Sequence, residues 1–319
     1  MRIKQLPEDF VVEEVMDLTL EKQGTYAYYL LRKQDITLHE ALQDLAEKLR
    51  IREKYINVAG IKDKHAITTQ HISISRGPKK DLKNKHYSLK FLGHGDCRIN
   101  LGMLEGNRFI ITVRDIQERP EQPSQFLNTF GEQRFGMHRN NQEIGRLIVQ
   151  GRLKEAADLL AVQHREVAAH LADHPKDAVG AIRRLRKDIA LLYIHAYQSF
   201  LWNRVAKELA KREKEQCLVP LLGISTEFVD KDIETIYRSI LQEEGIRLTD
   251  FIIRKIPELT TDGAERRLYI DVKDMKIGAL KDDELNKGKK KVVLSFGLPK
   301  GSYATEVIAQ CRWAGHRWT

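Results

Sequence analysis

Three cysteines in 319 residues, Cys97, Cys217 and Cys311, are too few and too far apart for a disulfide framework, and none forms a C-x-x-C pair suited to zinc. A reducing, cytoplasmic setting is the simplest expectation. Long apolar runs are missing too. The stretch Ile189 to Ile194 falls far short of the roughly 20 residues that a membrane helix needs. Charges and Pro7 interrupt the opening MRIKQLPEDF, so no signal peptide and no membrane contact is expected. Neither G-x-x-x-x-G-K-[ST] nor G-x-G-x-x-G occurs, which argues against ATP and dinucleotides. The pairs His65/His71 and His86/His94 have no zinc spacing, and H-E-x-x-H is absent. The expectation is therefore no metal and no cofactor. No internal repeat is evident, and nothing indicates an obligate protein partner.

What is present is a chain with 42% hydrophobic residues, enough for a sizeable core in one large domain or two smaller ones. Lys and Arg outnumber Asp and Glu by 54 to 45, a net charge of +9. Such an excess favours a polyanionic partner, most simply nucleic acid. Basic runs stand at 79–85 (KKDLKNK), 183–187 (RRLRK) and 287–291 (KGKKK). Solvated faces explain such runs as well, and charge alone leaves both readings open.

The first part of the chain reads as strands around one helix. Phe10 to Val15 and Tyr26 to Leu31 are β-like. Thr37 with Glu40 forms a capping-box pattern ahead of Leu38, Leu42, Leu45 and Leu49 on one helical face. Strand signals follow at Tyr55 to Val58, His71 to Ser75, Tyr87 to Phe91 and Phe109 to Val113, with Gly106 and Asn107 read as a turn. The segment QERPEQPSQ (117–125) has no apolar residue and reads as a linker. Helical periodicity then runs over Glu143 to Leu160 and Asp188 to Lys211, before a strand signal returns at Lys291 to Phe296. The class is α+β: a mixed sheet interrupted by a mainly helical insertion.

Between the strand candidates at Val58 and His71, the segment VAGIKDKHAITTQHISIS (58–75) presents Lys62, Asp63 and Lys64 on a loop. Flanking cations favour the charged form of a carboxylate, which on a rigid loop can serve as nucleophile or base. From residue types alone, a solvated turn is the simpler account.

The segment AGIKDKHAITTQ (59–70) resembles the signature A-G-x-K-D-[KR]-x-A-x-T-x-Q of the TruD family of tRNA pseudouridine synthases. Other segments resemble that family in matching order. IKQLPEDFVVEE (3–14) is similar to K-x-x-P-x-D-F-x-V-x-E, and LGMLEGNRFIITVRDI (101–116) to L-G-x-L-x-G-N-x-F. NTFGEQRFG (128–136) and HAYQSFLWNRVA (195–206) look like insertion-domain motifs, and LPKGSYATEVIAQ (298–310) like the closing segment. Residues 212–262 carry nothing distinctive.

The resemblance implies Asp63 as the catalytic carboxylate. It implies substrate-binding roles for Lys4, Asn107, Phe109, Asn128, Gln133 and Arg134. It further implies a pseudouridine synthase catalytic fold at 1–124 and 269–319, a mixed and mainly antiparallel sheet with flanking helices. A TRUD insertion domain for RNA recognition would span 125–268. The activity implied is isomerisation of a tRNA uridine, at position 13 by family expectation, with the base flipped and neither metal nor ATP. Whether Asp63 attacks sugar or base, or takes a sugar proton, stays open. Two other readings compete: an RNA-binding protein that has lost catalysis, and an enzyme using Asp63 on a non-RNA substrate. A bland reading also stands for Phe109, because an aromatic at a strand start is usually core.

Overall fold

In FVVEEV, period-2 alternation puts Phe10, Val12 and Glu14 on one face and Val11, Glu13 and Val15 on the other. The computed structural model, which describes residues 1–136 and 138–313, builds this segment as strand β1 (Phe10–Val15) with the first set buried. The chain continues through β2 (Tyr26–Gln34), α1 (Leu38–Leu49), β3 (Ile56–Val58), β4 (Ile67–Ser75), β5 (Leu82–Lys83), β6 (Tyr87–Gly95) and β7 (Gly106–Ile116). A short strand β8 (Phe126–Leu127) precedes the helices α2 (Asn141–Val149), α3 (Leu153–Gln163), α4 (Arg165–Asp173), α5 (Ala178–Ile182) and α6 (Lys187–Lys211). Then come β9 (Leu218–Leu221), α7 (Lys231–Glu243), β10 (Ala264–Arg267) and β11 (Tyr269–Ile270). The last elements are β12 (Lys273–Ile277), β13 (Lys281–Asp282), β14 (Lys290–Pro299) and α8 (Ala304–Gln310).

Contacts divide the chain into two units. One holds Met1–Ser124, Asp271–Ala304 and the chain from Ile308 on; the other holds Gln125–Ile270 with Thr305–Val307. Residues 314–319 of the expected catalytic span lie outside the described residues.

The first unit is built on a ten-stranded sheet of order β12-β14-β7-β1-β4-β2-β6-β5, with β13 beside β14 and β3 beside β4. Of its ladders only β1–β4 is parallel; the rest are antiparallel, so the α+β class and the mixed, mainly antiparallel sheet are observed. The capping box forms: Thr37 accepts from Glu40 N–H, and the Glu40 carboxylate reaches back to Thr37. Arg50 ends the helix in the left-handed region, φ 55°. The apolar face of α1, with Leu38, Leu42 and Leu45, packs on Ala27, Tyr29, Leu31, Ile72 and Ile74. Burying each such leucine stabilises the unit by about 1.5–3 kcal/mol.

Three readings of the sequence need correction. Gly106 and Asn107 are not a turn, since β7 already starts at Gly106. A β-carbon at Gly106 would lie 2.2 Å from the Leu298 carbonyl oxygen, so glycine marks a close backbone approach here. Strand β4 begins at Ile67, four residues before the expected start. Its Thr68, Thr69 and Gln70 hide the signal, because this stretch lies between β1 and β2 and gains its order from both. The helical run from Glu143 to Leu160 is broken into α2 and α3, with Gly151 at φ 75° between them.

The second unit is mainly helical. Its central element, α6, buries Tyr193, Tyr197, Leu201 and Trp202. Two small sheets, β9–β10 and β8–β11, accompany the helices.

Candidate active site

Strand register places the site at one end of the first unit's sheet. On β7, Asn107 stands opposite Glu14 of β1 and Leu298 of β14, and Phe109 stands opposite Val12 and Phe296. Alternation keeps Asn107 and Phe109 on one face. The loop from Ala59 to Ala66 joins β3 to β4, and β4 runs parallel to β1, which brings Asp63 beside the N-terminal segment. There Lys4 Nζ lies 2.5 Å from Asp63 Oδ2 and 4.1 Å from the centre of the Phe10 ring. Lys4 takes a left-handed backbone, φ 59°. The Asp63 side chain is 40% exposed, so its carboxylate is both paired and accessible.

Below this pair lies a cluster of rings. Phe109 packs edge-on to Phe10, with centroids 6.2 Å apart, and tilts against Phe296 at 5.7 Å. Phe109 is 7% exposed. Phe10 and Phe296 were not singled out from the sequence, although Phe10 stands inside the IKQLPEDFVVEE segment. Only the register of β1, β7 and β14 shows that the three rings meet.

Charged groups hold the loop from behind. Lys33 is fully buried on β2 and donates from Nζ to the backbone carbonyls of Asp63, at 2.6 Å, and Ile36, at 3.0 Å. Burial pushes its amine down to about 8, and the Asp63 charge opposes that shift. Lys62 Nζ donates to Asn107 Oδ1 at 2.6 Å and pairs with Glu14 Oε2 at 3.3 Å. Burial alone would push the Glu14 carboxyl up. Hydrogen bonds from His71 and the Lys62 charge outweigh it and hold Glu14 below the ordinary value. Gln70 Nε2 donates to the Gly60 carbonyl at 3.2 Å. Glu14 and Lys33 escaped the sequence reading, and Lys62 was read only as a cation beside Asp63, not as a partner of Glu14 and Asn107. A lone charge in an apolar run is a faint signal that a buried partner exists.

Asn128, Gln133 and Arg134 belong to the second unit. Asn128 is buried and its amide bonds within that unit: Nδ2 donates to the Arg267 carbonyl at 3.1 Å, and Oδ1 accepts from the Arg266 guanidinium. Arg134 Nε donates to Ser199 Oγ at 3.1 Å, and the guanidinium stands 5.1 Å from the Phe130 ring. Gln133 is exposed. Asn203 clamps the Phe130 peptide from both sides, and Gln198 Nε2 donates to Thr261 Oγ1 at 2.7 Å. Gln198 and Asn203 thus brace loops inside this unit.

Among the described residues, no group of three or more His, Cys, Asp or Glu side chains could hold a metal ion, and no helix is long and apolar enough to cross a membrane.

Comparison with known proteins agrees with the motifs. The family model for tRNA pseudouridine synthase D (TruD) matches residues 1–166, 160–215 and 206–311. A Methanosarcina acetivorans protein named "Probable tRNA pseudouridine synthase D" is 30% identical, with 97% of this chain and 92% of that protein covered. The tRNA pseudouridine synthase D of Aquifex aeolicus is 29% identical over 97% of each. A crystal structure of tRNA pseudouridine synthase D (TruD) from Methanosarcina mazei matches with a TM-score of 0.80 and 28% identity, covering 96% of this chain and 92% of that one. With its motifs in order from residue 3 to residue 310, its sheet and insertion in place, and the family model spanning nearly the whole length, the chain belongs to the tRNA pseudouridine synthase D (TruD) family of isomerases.

Proposed function

We propose that this protein converts one tRNA uridine, at position 13 by family expectation, to pseudouridine, with Asp63 as the catalytic carboxylate. The observation that carries this reading is the accessible Asp63 carboxylate paired with Lys4 above the Phe10 ring. The reaction breaks the bond between C1′ and N1 of the uracil, turns the base and joins C1′ to C5. N1 gains a proton and C5 loses one, so atoms and charge balance without ATP, metal or redox cofactor. Lys4 pairs with the carboxylate and aims it. A uridine inside folded RNA has to be flipped out to reach it, which costs a few kcal/mol of lost stacking. Phe109, backed by the buried Phe10 and Phe296 rings, is the aromatic against which the extruded base is received; stacking on an aromatic is worth about 1–3 kcal/mol.

RNA recognition falls to the insertion unit in this reading. Arg134 and the exposed Gln133 meet the RNA there, and Asn128 shapes the loop that presents them. The net charge of +9 favours phosphate contacts along the way.

Incubation of the purified protein with unmodified tRNA, tritiated at uridine C5, in EDTA tests the proposal. Release of tritium stoichiometric with one site per tRNA is expected. No release from any tRNA pool sinks it.

A further inference from the structure

Asn107 is held by a lysine. Lys62 Nζ faces its amide at 2.6 Å. An ammonium has three donors and no acceptor, so the amide atom that it faces is the carbonyl oxygen. While Lys62 stays, the amide cannot flip. Lys62 is itself fixed: its side chain is 7% exposed, and it pairs at 3.3 Å with Glu14, whose side chain is fully buried. Glu14 Oε1 in turn accepts from the His71 N–H at 2.9 Å. The chain of contacts runs from β4 through β1 and the catalytic loop to β7. Its result is that Asn107 Nδ2 has no hydrogen-bond partner among the described residues, and the side chain is left partly exposed. To its surroundings Asn107 offers two N–H donors, with its carbonyl oxygen turned to Lys62.

We infer that Lys62 and Glu14 are positioning residues that lock Asn107 as a donor to a carbonyl oxygen of the target uracil. The inference rests on the function proposed above and adds what reads the base. To exchange N1 for C5 at the sugar, the detached ring makes a half turn about the axis through N3 and C6. That turn also exchanges O2 with O4. A donor fixed beside one carbonyl therefore meets a carbonyl oxygen both before and after the turn. Cytosine would offer O2 in one orientation and its 4-amino group in the other, donor against donor. The lock thus tolerates the isomerisation and disfavours cytosine in the same site. An amide free to flip would lose both properties.

The test uses full-length protein, tRNA transcripts carrying uridine, 2-thiouridine or 4-thiouridine at the target, and single-turnover rates beside tRNA affinity. Sulfur is a weak acceptor, so either thio-substitution should slow the wild type about tenfold. The variant Lys62→Met with Glu14→Gln removes both buried charges together. It should bind tRNA within about threefold of wild type yet turn uridine over at least about thirtyfold more slowly, and lose its sensitivity to sulfur. Lys62→Arg, which can still donate to the same oxygen, should recover most of the rate. Asn107→Asp keeps a partner for Lys62 but removes the donors, and should lose about a hundredfold; it carries the test should the double variant not fold. A double variant that stays as sulfur-sensitive as wild type, or an active Asn107→Asp, overturns the inference while the proposed function stands. A wild type that leaves the uridine transcript unchanged overturns both.

Discussion

Arg114 and Lys33 are both buried cations of the sheet unit, 4% and 1% exposed, and their surroundings could hardly differ more. Arg114, near the far end of β7 from Asn107, donates from Nε to both oxygens of Asp9 at 2.9 Å and from Nη1 to Asp283 and Glu284. The second oxygen of Asp283 accepts from Asp115 N–H at 3.0 Å and from Asn286 Nδ2 at 2.7 Å. The hydrogen bond to Asp9 leads in raising the Arg114 pKa above its ordinary value. Lys33 reaches only backbone carbonyls, and burial pushes its pKa down. Near it, Thr68 Oγ1 and Gln70 Oε1 are buried without hydrogen-bond partners among the described residues, and Glu14 Oε2 and His71 Nδ1 have only looser contacts, to Lys62 at 3.3 Å and to Glu14 Oε1 at 3.4 Å. Buried polar atoms are normally satisfied, so a group of exceptions calls for a cause. One end of the sheet is a closed network that serves as framework. The other keeps polar capacity unspent, as a site for a ligand would.

The sharpest way to break that comparison is Asp63→Asn. The amide keeps the shape and loses the charge, so C5 tritium release should fall at least about a thousandfold while melting temperature and tRNA affinity hold. A variant that keeps several per cent of the rate means that the open end is not where the chemistry happens.

Arg114→Met tests the closed end. It strands Asp9 and Asp283 in the interior, and breaking a buried pair from one side costs about 3–5 kcal/mol. Urea unfolding should show that loss, while the folded fraction turns over at the wild-type rate. A stable but inactive Arg114→Met would join framework and site into one.

Phe109 lies between the two functions. Phe109→Leu fills similar space, so stability should drop by less than about 1.5 kcal/mol. Without an aromatic face, turnover should fall about tenfold, the lower part of what base stacking supplies. Phe109→Tyr keeps the ring and should keep much of the activity. A fully active leucine enzyme assigns Phe109 to the core and leaves stacking without a candidate, since Phe10 and Phe296 are buried.

The smallest effect concerns Lys33 and pH. Its folded value of about 8 lies below the ordinary 10.5, so the unfolded chain holds the proton more tightly. Stability should therefore rise as pH climbs from 8 to 10.5, and be lost again as pH falls back through 8. Lys33→Met has no such proton to release. Denaturation midpoints across that window should show the wild type gaining about 1–2 kcal/mol on the variant. Parallel curves would mean that the buried amine is better compensated than its two carbonyl partners suggest.

Some of this architecture was legible residue by residue. FVVEEV spells a half-buried strand, and β1 has those bounds. Thr37 and Glu40 spell a helix start, and both halves of the capping box form. Such signals act across a few residues, where backbone geometry alone sets which side chains can meet. The motifs around Lys4, Asp63 and Asn107 were readable as strings, each with its resemblance. What they touch was not. Lys4 and Asp63 are 59 positions apart, and Lys62 and Asn107 are 45 apart. The parallel β1–β4 pairing and the antiparallel β1–β7 pairing bring them together. A one-residue slip in either register would turn Glu14 or Asn107 to the opposite face. The same holds for the meeting of Phe10, Phe109 and Phe296, for the burial of Lys33, and for the bracing work of Asn128 and Gln198. The sequence determined which elements form and which loop presents a carboxylate. Only the tertiary structure decided which distant charges stand behind that carboxylate, because cross-strand register is settled by the whole sheet at once.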